Sequence, residues 1–197
     1  MYSASEIRRL LDSTTNPLRA MILLGINCAF GNHDVSSLPR ERIDLEQAWH
    51  SFGRPKTGVA RRCPLWPETV TALRDVLKRP AKPRDENAEG LVFLTKYGRP
   101  FVRLKDGGST WIDGIAQEFR KVLKTLNIHR DRVGFYSLRR TFRTIADSAG
   151  DQPAAMYIMG HADRDEDMSA VYVQRIDDER LVDVSEHVRD WVFGETE

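Results

Sequence analysis

The sequence predicts a mostly α fold with a small three-stranded antiparallel sheet, an α+β domain. Apolar residues recur at helical spacing in several segments, which is the pattern of helices with one buried face. Three short strand candidates follow one another within residues 42–65. Only residues 79–90 have the composition of a long loop. With 197 residues in all, the chain has the length of one domain with its own core.

The first half begins with two predicted helices. The first spans residues 5–13, and the second starts at Pro17 because proline fits the first turn of a helix. Five small or apolar residues of this second helix recur at helical spacing and predict its buried face. They are Leu18, Met21, Ile22, Gly25 and Cys28.

The sheet is predicted from three short segments near residues 42–45, 48–53 and 60–65. Lys56, Thr57 and Gly58 form the turn between the last two, so the three strands make an antiparallel meander. Pro67 then starts a helix that ends near Lys78.

The second half is predicted to be mainly helical. A short strand at 91–94 and a turn at 96–98 precede a helix over 110–126. Further helices are predicted at 137–149, from Pro153, around Tyr172 and at 177–191. The chain has no internal repeats.

Composition limits the class of protein. Hydrophobic residues make up 41% of the chain and charged residues 30%, as in a soluble globular domain. No apolar run approaches the ~20 residues that a membrane span needs, and the start lacks the pattern of a signal peptide. Two cysteines do not make a disulfide framework. We therefore expect a cytoplasmic, nucleoid-associated protein that makes no membrane contact.

The charge distribution indicates a basic face. The net charge is only +1, but residues 147–197 contain 14 acidic and 4 basic side chains. The first 146 residues therefore contain 26 basic and 15 acidic side chains. Such asymmetry allows one basic face to meet DNA while an acidic tail turns elsewhere.

Three elements near the C-terminus have the residue types of phosphodiester chemistry. Residues 137–143 read Ser-Leu-Arg-Arg-Thr-Phe-Arg, Met159-Gly160-His161 follows, and Tyr172 comes after it. Breaking a phosphodiester needs a nucleophile, cations on the non-bridging oxygens and an acid for the departing oxygen. Arginine suits the cationic role because its planar fork is always charged and binds phosphate bidentately.

These residues resemble the tyrosine recombinase (phage integrase) family, over nearly the whole chain from about Ala4 to Trp191. The family's box of His-x-Leu-Arg-Arg-Thr-Phe matches residues 136–142, and its Leu-Gly-His matches 159–161. Its nucleophile matches Tyr172, eleven residues after His161 where nine are usual; Tyr157 fits the pattern worse. Residues 54–58 look like the family's β-hairpin turn.

The resemblance implies a role for each matching residue. Arg139 would hold a non-bridging oxygen of the scissile phosphate, and Tyr172 would attack the phosphorus. His161 would donate a hydrogen bond or assist proton transfer. Lys56 would protonate the leaving 5′ oxygen.

Two positions depart from the family pattern. Gly31 stands where the first catalytic arginine is expected, and Tyr136 where the second box begins with histidine. A phenol can donate a hydrogen bond to phosphate but supplies no cation. Three explanations remain open for Gly31: lost catalysis with retained DNA binding, a cation from another position, or a backbone amide at Gly31 or Asn32. The candidate cations are Arg140, Arg143, Arg54 and His33.

The resemblance also predicts partners. Duplex DNA is the expected substrate, contacted mostly at phosphates by Arg54, Arg61, Arg62, Arg140 and Arg143. The helix at 177–191 has an apolar stripe that either packs on its own domain or joins subunits of a homo-oligomer, a tetramer on DNA. Residues 1–197 are expected to form a single catalytic domain without the family's N-terminal DNA-clamping domain.

No cofactor or metal is expected, since a phosphotyrosine conserves the bond energy for rejoining. Cys28, His33, His50 and Cys63 lack the paired spacing of a zinc site. The expected function is site-specific recombination through a 3′-phosphotyrosine. The alternatives are a catalytically degenerate DNA-binding or assembly module, and a type IB topoisomerase-like enzyme.

Overall fold

The computed structural model describes residues 1–161 and 176–194. The described part of the first half contains helices α1 (Ala4–Asp12), α2 (Leu18–Asn27), α3 (Asn32–Ser36) and α4 (Pro67–Lys78), with strands β1 (Ile43–Asp44), β2 (Trp49–His50) and β3 (Cys63–Pro64) between the last two helices. The second half contains strands β4 (Val102–Leu104) and β5 (Trp111–Asp113) and helices α5 (Gly114–Thr125), α6 (Ser137–Asp147), α7 (Gln152–Met159) and α8 (Asp178–Phe193). The mostly α fold with a small antiparallel sheet is confirmed.

Side chains at the helix ends explain several of these boundaries. The Ser3 hydroxyl accepts a hydrogen bond from the Glu6 N–H, and the Glu6 carboxylate accepts one from the Ser3 N–H, which caps α1 in both directions. Asp113 caps α5 by accepting from the Ala116 N–H, and Asp151 caps α7 in the same way. Each cap satisfies an amide that the helix itself leaves without a partner.

The three-stranded sheet has the predicted order β1-β2-β3, and both pairs are antiparallel. Each strand has only two residues, so the connection between β2 and β3 is longer than the sequence indicates. Three other details differ from the prediction. A second sheet pairs β4 with β5 where residue 111 was expected to be helical, residues 91 and 94 form only isolated bridges, and α3 was not predicted.

Helix α2 lies at the centre of the core. Eight of its ten residues are buried, and it packs against α4, α6, α5 and α8. This explains why its apolar pattern is nearly continuous: a helix surrounded by other elements has no polar face.

Helix α8 packs on its own domain. Its stripe of Leu181, Val184, Val188 and Val192 is buried against the rest of the chain, with contacts to α1, α6, α7 and β3. None of the described helices is long and apolar enough to cross a membrane.

Candidate active site

Arg139 lies buried in the first turn of α6. Helix α6 is strongly amphipathic, and Leu138 and Phe142 anchor it in the core. The Arg139 residue is 1% exposed, and its guanidinium donates to two carbonyl oxygens. Nη1 lies 2.6 Å from the oxygen of Ala29, and Nη2 lies 2.7 Å from that of Met159. Arg139 therefore joins the chain after α2 to the end of α7.

The surroundings of Arg139 make its charge costly. Burial, followed by the nearby charge of Arg54, lowers the pKa of Arg139 to about 10. The side chain still carries its charge at neutral pH. An anion placed beside it would relieve both effects.

The end of α7 lies against two further arginines. Gly160 ends the helix in the left-handed conformation, with φ of 60° and ψ of 43°. A Cβ atom on Gly160 would lie 3.1 Å from Cβ of Arg54 and 3.1 Å from Cδ of Arg61. The two side chains thus pass close to the turn whose preceding carbonyl accepts from Arg139. Three arginines meet at one helix end, where the peptide dipoles favour cations.

His161 follows this turn and is half-buried. Burial lowers its pKa, and the charges of Arg139, Arg54 and Arg143 lower it further. The imidazole is therefore neutral at pH 7, with one nitrogen able to donate and the other able to accept.

Arg61 and Asp34 form an ion pair that sequence reasoning missed. Nη2 of Arg61 lies 3.2 Å from Oδ1 of Asp34, and the Arg61 side chain is fully buried. Its Nε donates to the oxygen of Phe52 at 2.8 Å, and its guanidinium lies 4.2 Å from the ring centroid of Phe30. Neither Nη1 nor Nη2 has a partner of hydrogen-bond geometry within the described residues, so the contact with Asp34 is an ion pair. The available signal was Asp34, which follows Gly31 by three residues and stands where the family's first box has a glutamate.

Gly31 and Tyr136, the two departures from the family pattern, pack against each other. A Cβ on Gly31 would lie 3.2 Å and 3.3 Å from two atoms of the Tyr136 ring. The Gly31 backbone is extended, with φ of −88°, so its conformation does not require glycine. The ring lies where a side chain at position 31 would begin. The two departures from the family pattern therefore form a single packing contact and are not independent of each other.

The Gly31 amide already has a partner. Its N–H donates to Oδ2 of Asp34 at 2.7 Å, in a buried position. A phosphate would have to displace this carboxylate to reach the amide. The idea that the Gly31 N–H replaces the missing arginine is thus disfavoured.

The remaining predicted residues that the structure describes are exposed or paired with acids. Lys56 is exposed in the turn between β2 and β3, where the Gly58 N–H donates to the oxygen of Arg54. Arg143 pairs with Asp147 at 3.1 Å. Arg62 pairs with Asp178 at 2.6 Å and lies over the Trp49 ring. Arg140 is exposed, 5.7 Å from the centroid of the Tyr136 ring. Tyr172 lies outside the described residues.

The structure also brings Cys28, His50 and Cys63 together. One potential ligand atom from each lies within 4.8 Å of the others, and all three residues are buried. The sheet register explains the meeting, since His50 is the β2 partner of Cys63. The surroundings oppose a cation: burial and the charges of Arg61 and Arg62 lower the pKa of His50. Its Nδ1 also accepts from the Phe52 N–H at 3.3 Å. His33 is exposed elsewhere, beside Trp111.

Comparisons with solved structures agree with this fold. The integrase of mycobacterium phage Brujita aligns with a TM-score of 0.63 and 18% identity, over 94% of this chain and 56% of that one. The Tn1549 transposon integrase, in complex with a circular intermediate DNA, aligns with 0.65 and 17%, over 89% and 65%. XerA recombinase aligns with 0.62 and 17%, over 95% and 64%. This chain thus spans less than two thirds of each of these structures.

A search of curated protein sequences gave no match. The sequence model of the phage integrase family, in contrast, matches residues 2–179, which is most of the chain. The matched range extends over Gly31 and Tyr136 as well as Arg139, His161 and Tyr172. The chain belongs to the phage integrase family.

Proposed function

We propose that this domain performs site-specific DNA recombination by cleaving and rejoining strands through a 3′-phosphotyrosine intermediate. The observation that carries the proposal is the meeting of Arg54, Arg61, Arg139 and the neutral His161 at the end of α7. Among the described residues, Asp34 is the one acid in contact with this group of arginines. The centre is suited to an anion such as a phosphodiester.

Arg139 has the donors that this role requires. Its two hydrogen bonds to carbonyl oxygens use one N–H of each terminal nitrogen, and a guanidinium has five N–H groups. The carbonyl bonds hold the fork in one orientation, so its remaining donors need no reorganisation to bind a phosphate oxygen. Tight positioning of this kind is a large part of phosphoryl-transfer catalysis.

The proposed reaction is balanced. The Tyr172 oxygen attacks phosphorus and loses its proton, the P–O5′ bond breaks, and the 5′ oxygen leaves as a hydroxyl with a proton from Lys56. His161 accepts the phenol proton, or it donates a hydrogen bond to the pentacoordinate phosphorane while solvent water takes that proton. Attack of a 5′-hydroxyl on the phosphotyrosine reverses these steps and joins the strands. No metal or cofactor enters this scheme.

Duplex DNA is the proposed partner, with phosphate contacts from the exposed and half-buried arginines Arg54, Arg140 and Arg143. Arg61 is paired to the Asp34 carboxylate, so we assign it to supporting the site, and Arg62 is already paired to Asp178. We keep a homo-oligomer on DNA as a proposal. Because the apolar stripe of α8 is used within its own domain, a subunit contact would need the outer face of α8 or an exchanged helix. A location with the nucleoid follows from the proposed substrate.

A second candidate is a DNA-binding or assembly module that has lost cleavage. The packing of Tyr136 over Gly31 favours it, because one well-placed arginine can contribute ~10³-fold or more to phosphoryl transfer. A type IB topoisomerase-like activity shares the phosphotyrosine step, and relaxation of plasmids without site preference would distinguish it.

Covalent trapping tests the proposal. The full-length protein is incubated with a pool of nicked duplexes of randomised sequence, and protein–DNA adducts are read on denaturing gels. We expect a labelled adduct that Tyr172→Phe abolishes, and an adduct that persists with Tyr157→Phe. DNA binding without any adduct would contradict the enzyme and support the binding module.

A further inference from the structure

We propose that Arg54, from the β2–β3 connection, supplies the second guanidinium of the phosphate site, the charge that Gly31 cannot supply. The proposal rests on the proposed function and names a residue for one of its roles. It selects one of four candidate cations that the sequence left open.

The position of Arg54 is the first argument. Its Cβ and Cδ lie 3.1 Å and 3.7 Å from where a Gly160 Cβ would be, so the side chain runs along the turn that leads into His161. The carbonyl just before this turn binds Arg139. Arg54 therefore lies beside the turn that connects the carbonyl bound by Arg139 to His161.

Its lack of a partner is the second argument. Among the described residues, no hydrogen bond or ion pair occupies the Arg54 guanidinium. Arg61 and Arg143 also have buried terminal nitrogens without a hydrogen-bond partner, but their charges are already paired to Asp34 and Asp147. The Arg54 backbone is nevertheless held, since its N–H donates to the oxygen of Val59 at 2.8 Å and its own oxygen accepts from Gly58. A half-buried residue with a fixed backbone and an unengaged guanidinium is suited to an external anion.

The other candidates fit less well. Arg140 is exposed beside Tyr136, and His33 lies against Trp111. A new side chain at Gly31 would meet the Tyr136 ring. Gly160 has the opposite property, because its missing side chain leaves the space along which Arg54 passes. The second guanidinium of the phosphate site therefore comes from the β2–β3 connection.

Binding of inorganic phosphate tests this inference without requiring strand cleavage. The probe is inorganic phosphate, titrated at constant ionic strength and followed by the NMR signals of the His161 ring. We expect saturable binding that Arg54→Gln weakens about tenfold or more, as for loss of a hydrogen bond to a charged group. The matched control is Arg74→Gln, which removes an equal charge from α4, a helix that supplies no residue to the site; binding should change less than twofold.

Three results would overturn the inference: no saturable binding by the unaltered protein, equal weakening by Arg54→Gln and Arg74→Gln, or a larger loss with Arg143→Gln than with Arg54→Gln. Thermal unfolding of each variant shows whether it is folded, and Arg54→Lys provides a second variant that keeps the charge but loses the fork. The Tyr172→Phe protein should bind phosphate normally. If no covalent adduct forms but phosphate binding still depends on Arg54, the proposed strand cleavage is rejected and the proposed phosphate site is supported.

Discussion

At the scale of single residues, the site shows how two substitutions can depend on each other. Gly31 removes a side chain, and the Tyr136 ring lies over the space that results. Arg139 depends on two other segments of the chain, because both carbonyl oxygens that accept its hydrogen bonds lie outside its own helix. Removing its guanidinium would leave two buried carbonyls unsatisfied, so its role in stability and its proposed role in catalysis are coupled.

The relation between Gly31 and Arg54 leads to a prediction on adduct formation. Arg54→Gln should reduce the yield of the Tyr172 adduct, whereas Gly31→Arg alone should raise it little because the Arg54 charge is already present. In the double variant, the new arginine should restore part of the loss. Quantitative denaturing gels measure the four combinations as a double-mutant cycle.

The same cycle has a clear contrary outcome. If Gly31→Arg raises the yield by the same factor with and without Arg54, the two positions act independently. Tyr136→Ala in the Gly31→Arg background separates a steric obstacle from an electrostatic one, since it removes the ring that a side chain at 31 would meet.

At the scale of elements, a buried polar network joins α2, β3, α4 and α8. The Asn27 amide nitrogen donates to the oxygen of Pro64 at 3.0 Å and to the Ser185 hydroxyl at 3.2 Å. Its amide oxygen accepts from the Trp66 N–H and the Thr69 hydroxyl, at 2.9 Å and 3.0 Å. One side chain of α2 thus satisfies groups of β3, of α8 and of α4 with the residue that precedes it.

We expect Asn27→Ala to lower the free energy of unfolding by about 2–4 kcal/mol, because several buried groups lose their partner at once. Urea denaturation measures the change. Asn87→Ala is the matched control: this side chain is exposed, so its loss should change stability by less than about 0.5 kcal/mol. Equal effects of the two variants would mean that the network adds no stability.

We expect the stability of the fold to depend on pH through His50 in strand β2. Burial, with the charges of Arg61 and Arg62, lowers the pKa of His50 in the folded protein. Below about pH 6.5 the unfolded chain binds a proton at this histidine and the folded chain does not. The free energy of unfolding should therefore fall as the pH is lowered from about 6.5, by at most ~1.4 kcal/mol per pH unit for this group.

His50→Asn isolates this contribution, because an amide oxygen can accept from the Phe52 N–H in place of Nδ1 but does not titrate. Urea denaturation between pH 5 and 7 should show a smaller decrease for this variant than for the unaltered protein. His129→Asn, at an exposed position, should leave the decrease as it was. An unchanged pH dependence in His50→Asn would assign the effect to other groups.

At the scale of the whole molecule, basic and acidic side chains are concentrated in different parts of the sequence, and the fold brings several of the basic ones together. The first 146 residues have a surplus of basic side chains, and the C-terminal part has a surplus of acidic ones. The fold brings Arg54, from the hairpin, to Arg139 and the end of α7, so the basic centre is built from segments far apart in sequence.

This distribution predicts binding to duplex DNA that weakens steeply with salt. Each phosphate contact should contribute about −0.9 to the slope of log K against log salt concentration. Fluorescence anisotropy with a labelled duplex should give a slope that becomes about one unit less negative in Arg140→Gln, an exposed candidate contact. Tyr172→Phe should bind like the unaltered protein, since it removes no charge. A salt-independent affinity would contradict DNA as the partner.

The sequence alone determined the helical class, most helix positions and the residues of the C-terminal boxes. These follow from local signals: apolar spacing, prolines at helix starts and short motifs with fixed order. The spacing of apolar residues does not show where a helix begins. The helix caps at Ser3 and Asp113 decide this, and residues 111–113 form a strand before the second cap.

Only the tertiary structure decided which residues meet. The Arg61–Asp34 pair, the Tyr136 ring over Gly31 and the approach of Arg54 to Gly160 each join segments that are distant in the chain. Such contacts arise when helices and hairpins pack around α2, and their distances follow from shape and burial rather than from local preference. For this reason, the sequence could identify the missing charge at position 31, whereas only the fold could indicate Arg54 as the residue that we propose replaces it.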